Sequence, residues 1–176
     1  MNTPPKIVQD PHDVLRDVAN TVLPSEFGTD KLRDIVQSMH DSLATQKDGV
    51  ALAAPQIGIS KRIFVVAESA FHTYMGQPLV YINPVITGAS KEKIWVEEGC
   101  LSVRWMYGKA HRHAKATVKA QNVNGNTFTQ KGSGLLAQIF QHEIDHLEGI
   151  LFHDHATDLH ELTDDEVADY QKRLDN

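Results

Sequence analysis

His142-Glu143-Ile144-Asp145-His146 sets two imidazoles four residues apart with a carboxyl group between them. On a helix, residues i and i+4 stand one turn apart on one face, so both rings can reach a single metal ion without bending the backbone. Glu143, next to the first ring, is then placed to hold a metal-bound water and shuttle its proton. Leu135 and Ile139 fall on the same stripe, which makes it the expected buried side. There an unpartnered polar group costs ~1–3 kcal/mol. A metal would satisfy the rings, and so would bonds to backbone or carboxylates, so a third ligand has to be found. Glu161 and Glu166 are downstream carboxylates that could supply it. A third histidine six residues past His146 would be another solution, but that position holds Phe152, and His153 comes one residue late.

Upstream, Glu98-Gly99-Cys100-Leu101-Ser102 contains the chain's only cysteine. A glycine before it allows a tight backbone at a strand end, where a thiol can point into a cleft. Cys with two His gives three protein ligands and one open position, the pattern of a catalytic metal rather than a structural one. A lone Cys also fits as a small buried hydrophobe. Gly49-Val50-Ala51-Leu52-Ala53-Ala54-Pro55-Gln56 is a third unusual stretch, of small residues ending in an amide donor suited to an oxyanion. By itself it reads as a tightly packed turn.

These stretches need elements to hold them. Gly134 to Glu148 has apolar residues at helical spacing with Gly149 as its stop, which predicts the helix that carries the His pair. Thr29 to Thr45 shows the same period through Leu32, Ile35, Val36, Met39 and Leu43, and Asp10 to Ala19 opens on an Asp-Pro pair suited to a helix start. Arg62 to Ala67, Leu79 to Asn83 and Lys93 to Glu97 read as strands. Ala116 to Asn122 and Thr127 to Lys131 flank Asn124-Gly125, which predicts a hairpin with a type I′ turn. A last helix, Asp164 to Leu174, takes Thr163 as N-cap with Asp164, Asp165 and Glu166 in its first turn.

The chain has 176 residues, 41% hydrophobic and 23% charged, a size and composition that predict one domain over 1–176. A net charge of −6 argues against a dedicated nucleic-acid binder, which needs a surplus of Lys and Arg on one face. Met1 to Asp10 lacks the apolar core of a secretory signal, and no run approaches the ~20 apolar residues of a membrane span, so a cytoplasmic protein with no membrane partner is expected. Of 10 histidines, the pairs His111/His113 and His153/His155 have a spacing that could mimic a second metal site on a strand.

Taken in order, the three stretches resemble the signature motifs of the peptide deformylase family: G-x-G-x-A-A-x-Q, E-G-C-x-S and H-E-x-D-H. The resemblance runs over nearly the whole chain. It implies an α+β fold, with small antiparallel or mixed sheets packed around a central metal-binding helix and a C-terminal helix. It makes Cys100, His142 and His146 ligands of one divalent ion, Fe2+ in that family with Zn2+, Ni2+ or Co2+ able to take its place, and Glu143 the catalytic acid/base. The implied reaction removes the N-formyl group from formyl-methionyl nascent peptides as formate, with the ribosome near the chain exit as a possible partner. Gln56 and the Leu101 N–H would hold the oxyanion; Gly49, Val50, Ala51, Val96, Glu98, Gly99, Leu135 and Ile139 would contact substrate. Asp145 would support the site with Arg112 as its partner. Two departures from the pattern stand out: Ala51 stands at the second glycine, and Val103 to Lys109, a loop expected to border the substrate cleft, replaces the usual Pro and Arg. Altered peptide selectivity or turnover, or a relative with little activity, is therefore expected as an alternative, beside a different H-E-x-x-H metallopeptidase.

Overall fold

Ile63-Phe64-Val65-Val66 has no polar face, which suits a strand covered on both sides. In the computed structural model, which describes residues 3–71, 76 and 79–175, this is β2 (Ile63–Val66), and all four side chains are buried. It lies second in a five-stranded antiparallel sheet with β1 (Ala51–Ala53), β3 (Val80–Ala89), β6 (Lys115–Gln121) and β7 (Thr127–Ser133), in the order β1-β2-β3-β6-β7. Alternate residues serve opposite faces, as the pleat requires. Ile63 and Val65 pack with Leu32, Val36, Met39 and Leu43 of α1 (Asp30–Ala44), while Phe64 and Val66 pack with Ala137, Ile139, Phe140 and Leu147 of α2 (Leu135–Leu147). The sheet is thus held between two helices. On the α2 side Phe64, Tyr81 and Phe140 form an aromatic cluster, with the first pair stacked at 4.5 Å.

A second antiparallel sheet joins β4 (Lys93–Cys100), β5 (Val103–His113) and β8 (Thr157–Glu161), in that order. The chain ends in α3 (Asp164–Asp175), where Thr163 and Glu166 bond reciprocally across the first turn. The fold is α+β, and both sheets are antiparallel throughout.

Three local expectations are corrected. Asp10 to Ala19 is not a helix but a short 3-10 turn, Asp13–Leu15. Its backbone N–H groups are used elsewhere: Asp10 donates to Ser102 O at 2.9 Å and Ala19 to Leu147 O at 2.9 Å, and only Leu15 and Ala19 are buried. The hairpin after β6 has a longer loop than a type I′ turn, with only Gly125 at positive φ. The Asn122 carboxamide accepts from the N–H groups of Asn124 and Asn126 and organises that loop. Val103 to Lys109 lies within β5.

The stop after α2 is as expected, and Gly149 is required there for two reasons. Its φ is +73°, and its N–H and that of Ile150 bond back to His146 O and Asp145 O, the double bond of a Schellman motif. A Cβ at Gly149 would also lie 2.3 Å from the Arg16 carbonyl oxygen. The 3-10 turn Asp13–Leu15, whose C-cap is Arg16, thereby packs against the end of the helix that carries the two histidines.

Candidate active site

On β4, Glu98 and Cys100 are two residues apart and so share a face. That face meets α2 where His142 and His146 project, one turn apart. The Cys100 Sγ lies 3.2 Å from His146 Nε2, and one ligand atom from each of Cys100, His142 and His146 lies within 4.8 Å of the others. Among the described residues this is the one group of three metal-ligating side chains so gathered. Glu161 lies exposed on β8 and Glu166 is spent on the cap of α3, so neither joins it. The other histidine pairs do not form a group either. His111 stacks on Trp95, His113 bonds to Ser90 O, His153 faces Arg16 and Asp10, and His155 faces Asp145.

The donors are fixed from behind. Glu98 takes His142 Nδ1 at 3.1 Å, which leaves the other ring nitrogen for the group, and it also accepts from Arg112 at 2.7 and 3.0 Å. Arg112 extends to Asp145 at 2.6 Å, the pairing expected for Asp145. Burial by itself would raise the Glu98 carboxyl, but the hydrogen bonds from His142 and Arg112 outweigh it and hold the group at about 2. Glu98 is therefore a positioning group rather than a lining residue alone, a role its sequence context did not reveal. Its signal was an acidic residue two before the cysteine on a buried strand face.

Cys100 ends β4 in a tight turn into β5, and the Ser102 N–H points at its sulfur at 3.4 Å. Gln56 lies in a 3-10 turn, Ala54–Ile57, after β1. Its carbonyl is held by the Ala53 N–H at 2.8 Å, and its amide donates to Ser102 Oγ at 3.2 Å and approaches Cys100 Sγ at 3.6 Å. The N-terminal segment ties these turns together, since Val8 N–H donates to Gln56 O, Gln9 to Leu101 O and Asp10 N–H to Ser102 O.

Glu143 faces the same space with one carboxylate oxygen buried and without a partner. Burial pushes its carboxyl up to about 7, against the pull of His142. Burial pushes His146 well below its ordinary value, so that ring is neutral and its nitrogen is free to ligate. A buried thiol, two imidazoles and an orphaned carboxylate oxygen are the donor set a divalent cation fits. They border a cavity of about 190 Å³. Gly49, Val50, Ala51, Gln56, Glu98, Gly99, Leu101, Leu135 and Ile139 line it with Cys100, His142 and Glu143. Val96 shares the face of Glu98 but lies outside the lining, and Leu135 sits half-exposed at the rim rather than in the core. Arg104, Trp105, Met106 and Tyr107, from the Val103 to Lys109 run, also line the cavity, as do Gln138 and Tyr170, which had no motif to announce them.

An α+β fold with a Cys/His/His group and an adjacent buried carboxyl defines a mononuclear metal-dependent hydrolase. Known proteins narrow this class. Residues 4–161 match the family model described as polypeptide deformylase. Peptide deformylase 2 of Clostridium acetobutylicum is 44% identical over 136 residues, covering 77% of this chain and 85% of that protein. An actinonin-bound class I type b peptide deformylase of Acinetobacter baumannii superposes with a TM-score of 0.80 at 33% identity, over 89% of this chain and 100% of that one. The same enzyme bound to Met-Ala-Ser gives 0.77 at 33% identity, over 87% and 99%. The chain belongs to the peptide deformylase family.

Proposed function

We propose that this chain, as one catalytic domain, removes the formyl group from formyl-methionyl peptides with Glu143 as acid and base. The observation that carries this is the unpartnered, buried Glu143 carboxyl beside the Cys100/His142/His146 group, inside a cavity open to a peptide. Cys100, His142 and His146 would hold a divalent ion, which when bound would supply a Lewis acid and make water easier to deprotonate. Fe2+ is the ion the family favours, although thiolate and imidazole equally suit Zn2+. The cytoplasm is the natural setting, since a thiol ligand needs a reducing interior and formylated chains emerge there from the ribosome.

The chain's own groups divide the remaining work. Glu143, raised by burial, takes a proton from the attacking water and returns it to the leaving nitrogen of the methionine. Gln56 has its carbonyl tied to Ala53, which fixes its amide beside Cys100, where it and the Leu101 N–H would serve the reacting oxygen, each such donor being worth ~3 kcal/mol. Val50, Leu135 and Ile139 offer the aliphatic surface for the methionine side chain, with Gly49, Ala51 and the Glu98-Gly99 backbone beside it. Gly99 leaves room that a side chain would fill, because a Cβ there would lie 2.7 Å from the Tyr107 ring.

Formate release from formyl-Met-Ala-Ser by anaerobically prepared protein, with metal content measured alongside, tests this reading. Formate with about one metal per chain is expected. Metal bound without formate would favour a silent relative, and full activity in Cys100→Ala would restore the metallopeptidase alternative.

A further inference from the structure

The family match ends at residue 161, before α3 begins, yet Tyr170 of α3 lines the catalytic cavity. Its ring meets Trp105 edge-on at 6.0 Å. Trp105 is held in an unusual place. Its φ is +67°, in the left-handed region that a bulky residue rarely adopts, and its carbonyl accepts from the Leu162 N–H at the entry to α3. The neighbouring Arg104 carries its guanidinium 5.3 Å from the centre of the Trp105 ring and is neutralised by Asp48 at 2.6 and 3.2 Å. A further ion pair, Lys47 to Asp175, fastens the far end of α3. This end of the cavity therefore presents rings rather than free charge. Val50, Leu135 and Ile139, the aliphatic surface proposed for methionine, line the same cavity, which leaves these rings for a neighbouring side chain of the peptide.

We propose that Tyr170 is a specificity-determining residue: with Trp105 it forms an aromatic wall, built from a helix outside the family-matched segment, that favours an apolar and above all aromatic side chain after the formyl-methionine. This rests on the deformylase reading above. Ring contacts of this kind are worth about three- to tenfold in a specificity ratio.

The test compares kcat/KM for formate release from formyl-Met-Phe-Ser and formyl-Met-Gly-Ser, using the full chain loaded with Fe2+. The wild type is expected to favour the Phe peptide by about fivefold or more. In Tyr170→Ala the Phe peptide should lose most of that advantage, while Tyr170→Phe should keep it, because the ring and not the hydroxyl makes the wall. None of α3's side chains is buried, so the core is left intact in both variants. A wild-type ratio near one, an unchanged ratio in Tyr170→Ala, or an equal loss for both peptides would overturn the proposal, as would a Tyr170→Phe variant that behaves like Tyr170→Ala. No formate from either peptide with the wild type would instead defeat the deformylase reading, before Tyr170 is touched.

Discussion

The two ends of the catalytic cavity are built on opposite plans. At the inner end, Cys100 meets His146 while His142, Glu98, Arg112 and Asp145 form a chain of close contacts, and Glu98 and Arg112 are almost wholly buried. Each group there is held by at least one other, so its position is set several times over. At the outer end Arg104, Trp105 and Tyr170 are only partly buried and come from a strained strand and an exposed helix. The contrast separates two demands on an enzyme. Chemistry tolerates little misplacement of donors, which buried networks enforce. Selection among peptides needs a surface whose side chains can change at small cost in stability.

Breaking the inner end should have the largest effects. Glu143→Gln is expected to lower kcat by about 10²–10⁴-fold with metal content unchanged, measured by formate release and metal analysis. Arg112→Ala leaves Glu98 and Asp145 without their cation and should cost about 3–5 kcal/mol in denaturant unfolding. Gly149→Ala meets both the +73° φ and the Arg16 carbonyl, and a loss of about 2 kcal/mol or more with reduced metal retention is expected. The Glu98 carboxyl, held at about 2 against an ordinary 4.5, makes the inner end acid-sensitive. Its stabilisation is complete above pH 4.5 and is lost as pH falls toward 2, up to about 3 kcal/mol. Urea melts between pH 6 and pH 3 should show that slope, and Glu98→Gln should flatten it. The outer end gives the smallest effect. Trp105→Gly removes an aromatic contact but also relieves a left-handed backbone, so stability should stay within about 1 kcal/mol of wild type. A loss as large as that of Arg112→Ala would erase the distinction between the two ends.

The inner end was far more legible in the sequence than the outer one. His142, Glu143 and His146 are spaced by a helical repeat, and Gly149 ends that helix with chemistry local to a few residues. Arg112 could be named as the partner of Asp145. Glu98 could be placed at the substrate but not recognised as the group that holds His142, because the contact joins β4 to α2 across 44 residues of chain. Asp10 to Ala19 misled for the same reason. Its local signals favour a helix, but its N–H groups find Ser102 and Leu147 instead. Trp105 lay in the run Val103 to Lys109 already marked as a departure, but Tyr170 carried no signal, since an aromatic residue on a surface helix has the same pattern whether or not it faces a cavity.

By itself the sequence determined the metal-ligating residue types, the helix that spaces two of them, and the family to which they belong. Those follow from periodicity and motif order, which are properties of neighbouring residues. Only the tertiary structure decided that Cys100 stands 3.2 Å from His146, that Glu98 and Arg112 brace His142, and that α3 brings Tyr170 to the cleft. Each of these depends on packing between segments far apart in the chain, where the burial of one sheet between two helices, rather than any local preference, sets the distances.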